Sequence, residues 1–297
     1  MRVGIPRSFF YYAYKPFVET FFQKLEIPVE YPGLTDQNQL NNGIKECVDE
    51  ACFPIKLFQG QMKTLANTCD LLMVPRIMTT EYGESICPKI AGLPELAAQT
   101  VSKDRLVFTD PMYLDDQRSF RKMLWKNCRK LGVKKSVFKR AFLAGIFAQT
   151  SANHGIQDEG YTYNVFLAGH PYNVYDPFAN LDLLQKLHRL NIGVVTEERV
   201  SRKEKERGIA NKKLIKKPYW SFFVNTFGSI KALNDRGIDG VIYLSSFSCG
   251  TDSFTLEMLK NNLGDLPLLV LKLDQQRGEA GFDTRLEAFY EVLKGRE

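Results

Sequence analysis

Several familiar binding signatures are missing from this 297-residue chain. There is no GxxxxGK(S/T) and no GxGxxG, so neither a P-loop nor a dinucleotide fingerprint supports binding of ATP or NAD. GxSxG and HExxH are absent too, which removes the simplest hydrolase readings. Without a CxxC, a zinc ribbon or a thioredoxin-type site lacks support. No apolar run approaches the roughly 18 residues that span a bilayer, so no membrane role is expected. The opening Met-Arg-Val-Gly-Ile-Pro-Arg has no signal-peptide core and reads directly as a first strand. Cysteines without a secretory signal point to a reducing cytoplasm.

What is present is a globular composition. The hydrophobic fraction of 44% is enough for genuine cores, and the length suggests two domains of roughly 150 residues each. In the first half, short apolar runs at 2–5, 27–31, 71–74 and 106–108 alternate with helical patterns at 14–24, 40–48, 55–66 and 88–99. From 115 to about 155 the pattern is wholly helical, with two amphipathic stretches meeting at Gly132. Strand-like runs return at 163–167, 193–196, 241–244 and 268–273, again with helices between them. Alternation of this kind predicts an α/β fold of two Rossmann-like lobes with mainly parallel sheets. The expected division is an N-terminal lobe over 1–112, a helical connector over 113–160 and a C-terminal lobe over 161–297, with a cleft between the lobes.

Four of the six cysteines fall at chain breaks or helix starts. Cys47 and Cys52 lie in Glu-Cys-Val-Asp-Glu-Ala-Cys-Phe-Pro, Cys87 in Ile-Cys-Pro-Lys, and Cys249 in Ser-Cys-Gly-Thr-Asp. Pro54 and Pro88 suit a first helical turn, and Thr251, Asp252 and Ser253 are helix-starting residues. Thiolates and thiolate-bound clusters are anionic, and helix N-termini present free N–H groups and a positive dipole end. The pattern fits an iron–sulfur site assembled by folding. The bland alternative is a set of buried cysteines acting as small apolar side chains, which the wide spacing also permits. Cys69, opening an apolar strand, and Cys128, within an amphipathic helix, take that reading. On one continuous helix Cys47 and Cys52 would point about 140° apart, so both can bind only if the chain bends at Cys52–Pro54.

The net charge of +6 is concentrated over 199–217, which holds Arg202, Lys203, Lys205, Arg207, Lys212, Lys213, Lys216 and Lys217. Such a run is a solvated face, or a surface for an acidic protein or a large anionic cofactor. No nucleic-acid motif accompanies it, so nucleic acid is not expected as a partner. Of the three histidines, His154 and His188 read as structural, whereas His170 follows a strand in Gly-His-Pro.

Taken in order, several motifs resemble one family. They are Ile-Pro-Arg near the start, Asp49-Glu-Ala-Cys-Phe-Pro-Ile-Lys56, Val74-Pro-Arg76, Ile-Cys-Pro-Lys89, Gly169-His-Pro-Tyr-Asn-Val-Tyr-Asp176, Phe247-Ser-Cys-Gly-Thr-Asp-Ser253 and Leu273-Asp-Gln-Gln-Arg-Gly-Glu-Ala-Gly281. Together they resemble the acyl-CoA dehydratase activase-related proteins, relatives of the 2-hydroxyglutaryl-CoA dehydratase D-component. The resemblance covers nearly the whole chain. It implies paired α/β lobes around a cysteine-bound 4Fe-4S cluster, or the larger double-cubane cluster of more distant relatives. It also implies a separate ATP-dependent activase as electron donor, since this chain has no nucleotide-binding part. The chain departs from the family at Thr251-Asp252, usually Pro-Asp, and at Asp274-Gln275-Gln276-Arg277, where an acid is lost.

The resulting expectation is a low-potential iron–sulfur redox protein of the 2-hydroxyacyl-CoA dehydratase-related group. The alternatives are an accessory or scaffold protein that binds or transfers a cluster, and an α/β binding protein with buried cysteines only. Cys52, Cys87 and Cys249 are the expected metal ligands, with Cys47 as a fourth; three would leave one iron open and four would make a closed electron carrier. Arg76 and Lys89 could offset cluster charge or hold a carboxylate or thioester. His170, Tyr172 and Glu50 complete the candidates for contact with substrate or ligand. A CoA thioester or other small substrate and a homo- or hetero-oligomer fit this reading.

Overall fold

Val3–Gly4, Leu71–Met73 and Leu106–Val107 are short apolar runs without polar alternation, as strands covered on both faces should be. The computed structural model describes residues 1–210 and 220–296 and shows these runs paired in parallel. The chain divides into two units, Met1–Asn153 and His154–Glu297. Both are α/β with parallel sheets. Lys212, Lys213, Lys216 and Lys217 of the basic run lie outside the described residues.

The first unit runs β1 (Val3–Gly4), α1 (Phe10–Leu25), β2 (Val29–Glu30), α2 (Gln37–Lys45), α3 (Phe53–Ala66), β3 (Leu71–Met73) and β4 (Arg76–Thr79). It continues with α4 (Pro88–Ala91), α5 (Leu93–Thr100), β5 (Leu106–Val107), β6 (Pro111–Tyr113), α6 (Gln117–Lys130) and α7 (Lys135–Ser151). Its main sheet has the order β2-β1-β3-β5. The pattern did not announce β4 and β6, which form a separate parallel pair. The single helix expected over 88–99 is two, because the chain turns at Gly92 and Pro94 restarts it in the first turn of α5.

The second unit runs β7 (Tyr163–Gly169), α8 (Pro171–Val174), α9 (Leu183–Arg189), β8 (Ile192–Val195), α10 (Arg202–Ala210) and α11 (Ser221–Asn234). Then come β9 (Gly240–Ser246), α12 (Gly250–Lys260), β10 (Leu268–Leu273) and α13 (Glu279–Lys294). All four strands are parallel, in the order β10-β9-β7-β8. Every residue of β9 is buried. One face of this sheet is filled by Phe166, Val241 and Tyr243 against Phe223, Val224 and Phe227 of α11. Among the described residues no helix is long and apolar enough to cross a membrane.

The two sheets share one topology. From β1 the chain goes to β2 on one side, then crosses back over β1 to β3 on the other. From β7 it goes to β8, then crosses back to β9. Where successive connections diverge in this way, a crevice opens beyond the carboxyl ends of the strands. In the first unit it lies between the segments after β1 and β3, and in the second between those after β7 and β9.

Two packing features fix the first unit's helices. At the crossing of α2 and α3, a methyl on Gly43 would overlap the Lys56 carbonyl and one on Gly60 would overlap that of Gln39, so backbone meets backbone. In α1, Pro16 and the non-helical Tyr14 (φ −119°) mark a kink. There the Gln149 side chain from α7 enters the helix ladder. Its Nε2 donates to the Ala13 carbonyl at 2.9 Å, and its Oε1 accepts from the Phe17 N–H at 3.2 Å. These are the two backbone groups an unbroken helix would have joined. We predict that Gln149→Leu, which leaves both without those partners, lowers unfolding free energy by about 2 kcal/mol. Urea denaturation monitored by circular dichroism measures this, and wild-type stability would mean that the insertion does not hold the kink.

Candidate functional site

Three of the candidate cysteines are helix N-caps. Cys52 precedes α3, Cys87 precedes α4 and Cys249 precedes α12. The Cys52 carbonyl accepts from the Ile55 N–H at 2.9 Å and that of Cys87 from the Ile90 N–H at 3.0 Å. Proline in the first turn of α3 and of α4 removes an N–H that would otherwise be orphaned.

Topology places these starts at the carboxyl edges of the sheets. Helix α3 runs down to β3, and α4 with α5 runs down to β5, so their first turns lie at the opposite end from the strand beginnings they feed. The two run side by side, with Gln59 Nε2 donating to the Leu96 carbonyl at 2.6 Å. Gln59 is seven residues beyond Cys52 and Leu96 nine beyond Cys87, so the two cysteines share one end of the helix pair. Cys52 is buried, and Cys47 and Cys87 are half-buried. The chain leaves α2 at Lys45 and enters α3 at Phe53, so Cys47 and Cys52 sit on either side of a turn and not on one helix. Burial pushes the Cys47 thiol pKa up, with Lys56 acting against it.

In the second unit the crevice after β7 and β9 holds a polar cluster. His170 caps α8 directly after β7, and Cys249 caps α12 after β9. His170 Nε2 lies 2.9 Å from Asp252 Oδ1 and 4.0 Å from Cys249 Sγ. His170 and Asp252 are each only 1% exposed, so water contributes little to their charge balance. Asp252 also accepts from the Tyr243 hydroxyl at 2.9 Å and the Ser246 N–H at 3.1 Å. Cys249 Sγ has a second polar neighbour, Thr251 Oγ1, at 3.2 Å. The imidazole stacks on the Tyr172 ring at 4.9 Å and meets the Phe222 ring edge-on at 3.9 Å. Its Nδ1 is buried without a hydrogen-bond partner among the described residues.

Burial alone would lower the His170 pKa, but Asp252 and Cys249 outweigh it and raise it to about 10. Burial would raise that of Asp252, yet His170, Tyr243 and Ser246 together hold it below the usual carboxylate range. The cluster is an imidazole whose Nε2 faces both a carboxylate and a cysteine sulfur. Donor atoms of His170, Cys249 and Asp252 lie within 4.8 Å of one another, close enough to hold one metal ion.

The remaining sequence candidates are placed as follows. Glu50 is exposed in the turn before α3, and Lys89 is exposed on α4. Arg76 is occupied: it pairs with Glu95 and donates to the Thr109 carbonyl at 2.9 Å and the Ala91 carbonyl at 3.4 Å. The buried cation beside the cysteines is instead Lys56, one turn beyond Cys52, whose Nζ donates to the Asp49 carbonyl at 2.9 Å. Its four-residue spacing from Cys52 was the available signal. Asp252 was read only as a helix starter; its burial depends on Tyr243 and His170, both distant in sequence. Of the basic run, Lys205 is buried and Arg202 pairs with Glu206.

Comparison with known proteins places two descriptions on different stretches of the chain. Residues 179–293 match the 2-hydroxyglutaryl-CoA dehydratase D-component, which relates the C-terminal stretch to a dehydratase component. Residues 2–200 match the CoA enzyme activase uncharacterised domain (DUF2229). The resemblance in the motifs merged activase-related and D-component features; the matches assign them to different stretches, overlapping over 179–200. No curated protein matches the chain. With residues 2–200 of 297 matched, the chain belongs to the CoA enzyme activase uncharacterised domain (DUF2229) family.

Proposed function

We propose that this protein is a low-potential iron–sulfur redox component related to the 2-hydroxyacyl-CoA dehydratases, reduced by a separate ATP-dependent activase. Cys52, Cys87 and Cys249 would hold a 4Fe-4S cluster or a double-cubane relative, with Cys47 as the remaining thiol. When bound, such a cluster supplies one-electron transfer at low potential. The observation that carries the reading is that Cys52, Cys87 and Cys249 each cap a helix at the carboxyl edge of a parallel sheet. Free N–H groups and the positive end of the helix dipole favour a thiolate there.

The surrounding residues fit an anionic group. Buried Lys56 follows Cys52 by one turn and supplies positive charge. His170 Nε2 lies between Asp252 and the Cys249 sulfur, and the Thr251 hydroxyl lies beside that sulfur. Hydrogen bonds to ligand sulfur and nearby positive charge are among the factors that tune a cluster's potential. A second reading, an accessory protein that carries or transfers a cluster, draws support from Asp252. This buried acid is fully engaged by His170, Tyr243 and Ser246, so it is not poised as a general base. Binding of a CoA thioester belongs to the first reading only.

Single Cys→Ala variants reconstituted anaerobically test the ligand set. Cys52→Ala, Cys87→Ala and Cys249→Ala should each lose most iron and sulfide, while Cys69→Ala and Cys128→Ala, both at buried positions, should retain wild-type content. Full cluster content in Cys249→Ala would remove Cys249 from the ligand set and defeat the reading.

The electron-transfer claim has its own test. A cognate activase with ATP and a reductant should bleach the cluster's visible absorption, and the step should slow as salt rises, because the Debye length falls to about 3 Å at 1 M. Charge reversal at Lys212, Lys213, Lys216 and Lys217 should slow it further without removing iron. ATP turnover by the isolated chain, or reduction indifferent to activase and nucleotide, would refute this role.

A further inference from the structure

The crevice of the first unit holds no polar cluster. Beyond the carboxyl ends of β1 and β3 lies a cavity of about 320 Å³. Ile5, Pro6 and Phe9 wall it on the β1 side and Met73, Pro75 and Ile77 on the β3 side, so it occupies the divergence point of the sheet. Open α/β sheets bind their ligands at this point. All of its wall comes from residues 5–149, within the first unit, and includes no cysteine and no charged side chain. It is a partly open, mainly apolar concavity, as small-molecule sites are. Its volume falls at the lower end of the range for small-molecule sites.

Two further observations point to the same place. Phe9, in the wall, has φ 47° and ψ −114°, a conformation that a bulky residue rarely adopts and that tends to mark ligand sites. The α1 kink at Tyr14, held open by Gln149, also faces the cavity, and both residues contribute to its wall. Without the kink, a regular helix would run past this position. Tyr14 brings a hydroxyl, with Glu81 as its charged neighbour, to a mainly apolar wall that also includes Ser8, Tyr11, Thr80 and Gln117.

We infer that the first unit binds an uncharged, single-chain hydrocarbon ligand, its chain in this cavity and one hydrogen-bond acceptor at the Tyr14 hydroxyl. The volume holds roughly ten groups of the size of a water molecule or methylene, which sets the chain at about eight to ten carbons. With no cation in the wall, a carboxylate head would lose its hydration without compensation. The inference does not rest on the iron–sulfur reading, because it uses no cysteine, and the cysteine variants leave it untouched.

Isothermal titration of the full chain with 1-decanol tests it, with decanoate and 1-butanol as comparison probes. One saturable 1-decanol site per chain is expected, with decanoate and butanol each at least tenfold weaker. Tyr14→Phe should weaken decanol by about three- to tenfold, the range of one hydrogen bond. Ile146→Phe, which adds volume to the wall, should weaken it more than tenfold; Ile77→Phe serves the same purpose if that variant misfolds, with circular dichroism confirming folding. Absence of a saturable site, unchanged affinity in a folded wall-filling variant, or decanoate binding as tightly as decanol would overturn the inference.

Discussion

A parallel strand cannot return to its neighbour through a tight turn. It needs a crossover, and crossovers in one sheet keep one hand. When the second connection must pass back over the first strand, the two loops leave the sheet edge in opposite directions. Both units of this chain obey that constraint with the same strand order. Everything chemically distinctive follows from it. His170 and Cys249 meet because β7 and β9 are adjacent with divergent exits, and the β1 and β3 exits enclose a cavity for the same reason. One geometry therefore carries two environments, ionic in one unit and hydrocarbon in the other.

The ionic environment is costly to maintain. Removing a buried charge from water is compensated only by close partners, and deleting one member of such a pair typically costs about 3–5 kcal/mol. Here the partners are supplied by strand and helix positions rather than by flexible loops. Tyr243 comes from β9, Asp252 from the first turn of α12, and His170 from the first residue after β7. The arrangement is pre-formed, so little reorganisation accompanies a change of charge at Cys249.

Much of the fold was legible because buried parallel strands are short, apolar and separated by helical periodicity, as in Val3–Gly4 and Gly240–Ser246. The helix-start cysteines were legible because proline two residues after Cys52 and one after Cys87 permits few other local structures. The β4–β6 pair was not legible: Arg76 and Thr79 are partly exposed, and Pro111 opens its partner strand. Nor was the split of residues 88–99 at Gly92, where a helical pattern continues across a turn. The burial of Lys56 was hidden because a lysine near a loop is ordinarily exposed. Asp252 and the cavity depend on neighbours far along the chain, which local pattern cannot supply.

The glycine crossing of α2 and α3 bears on motion. Helices separated by side chains can slide by exchanging rotamers, but two backbones in direct contact have no such lubricant. Carbonyls of Lys56 and Gln39 press against Gly43 and Gly60, so any tilt of α3 must carry α2 with it. Cys52 heads one of these helices and Cys47 trails the other. A tilt of this helix pair therefore moves Cys52 at the start of α3 together with the end of α2, two residues before Cys47.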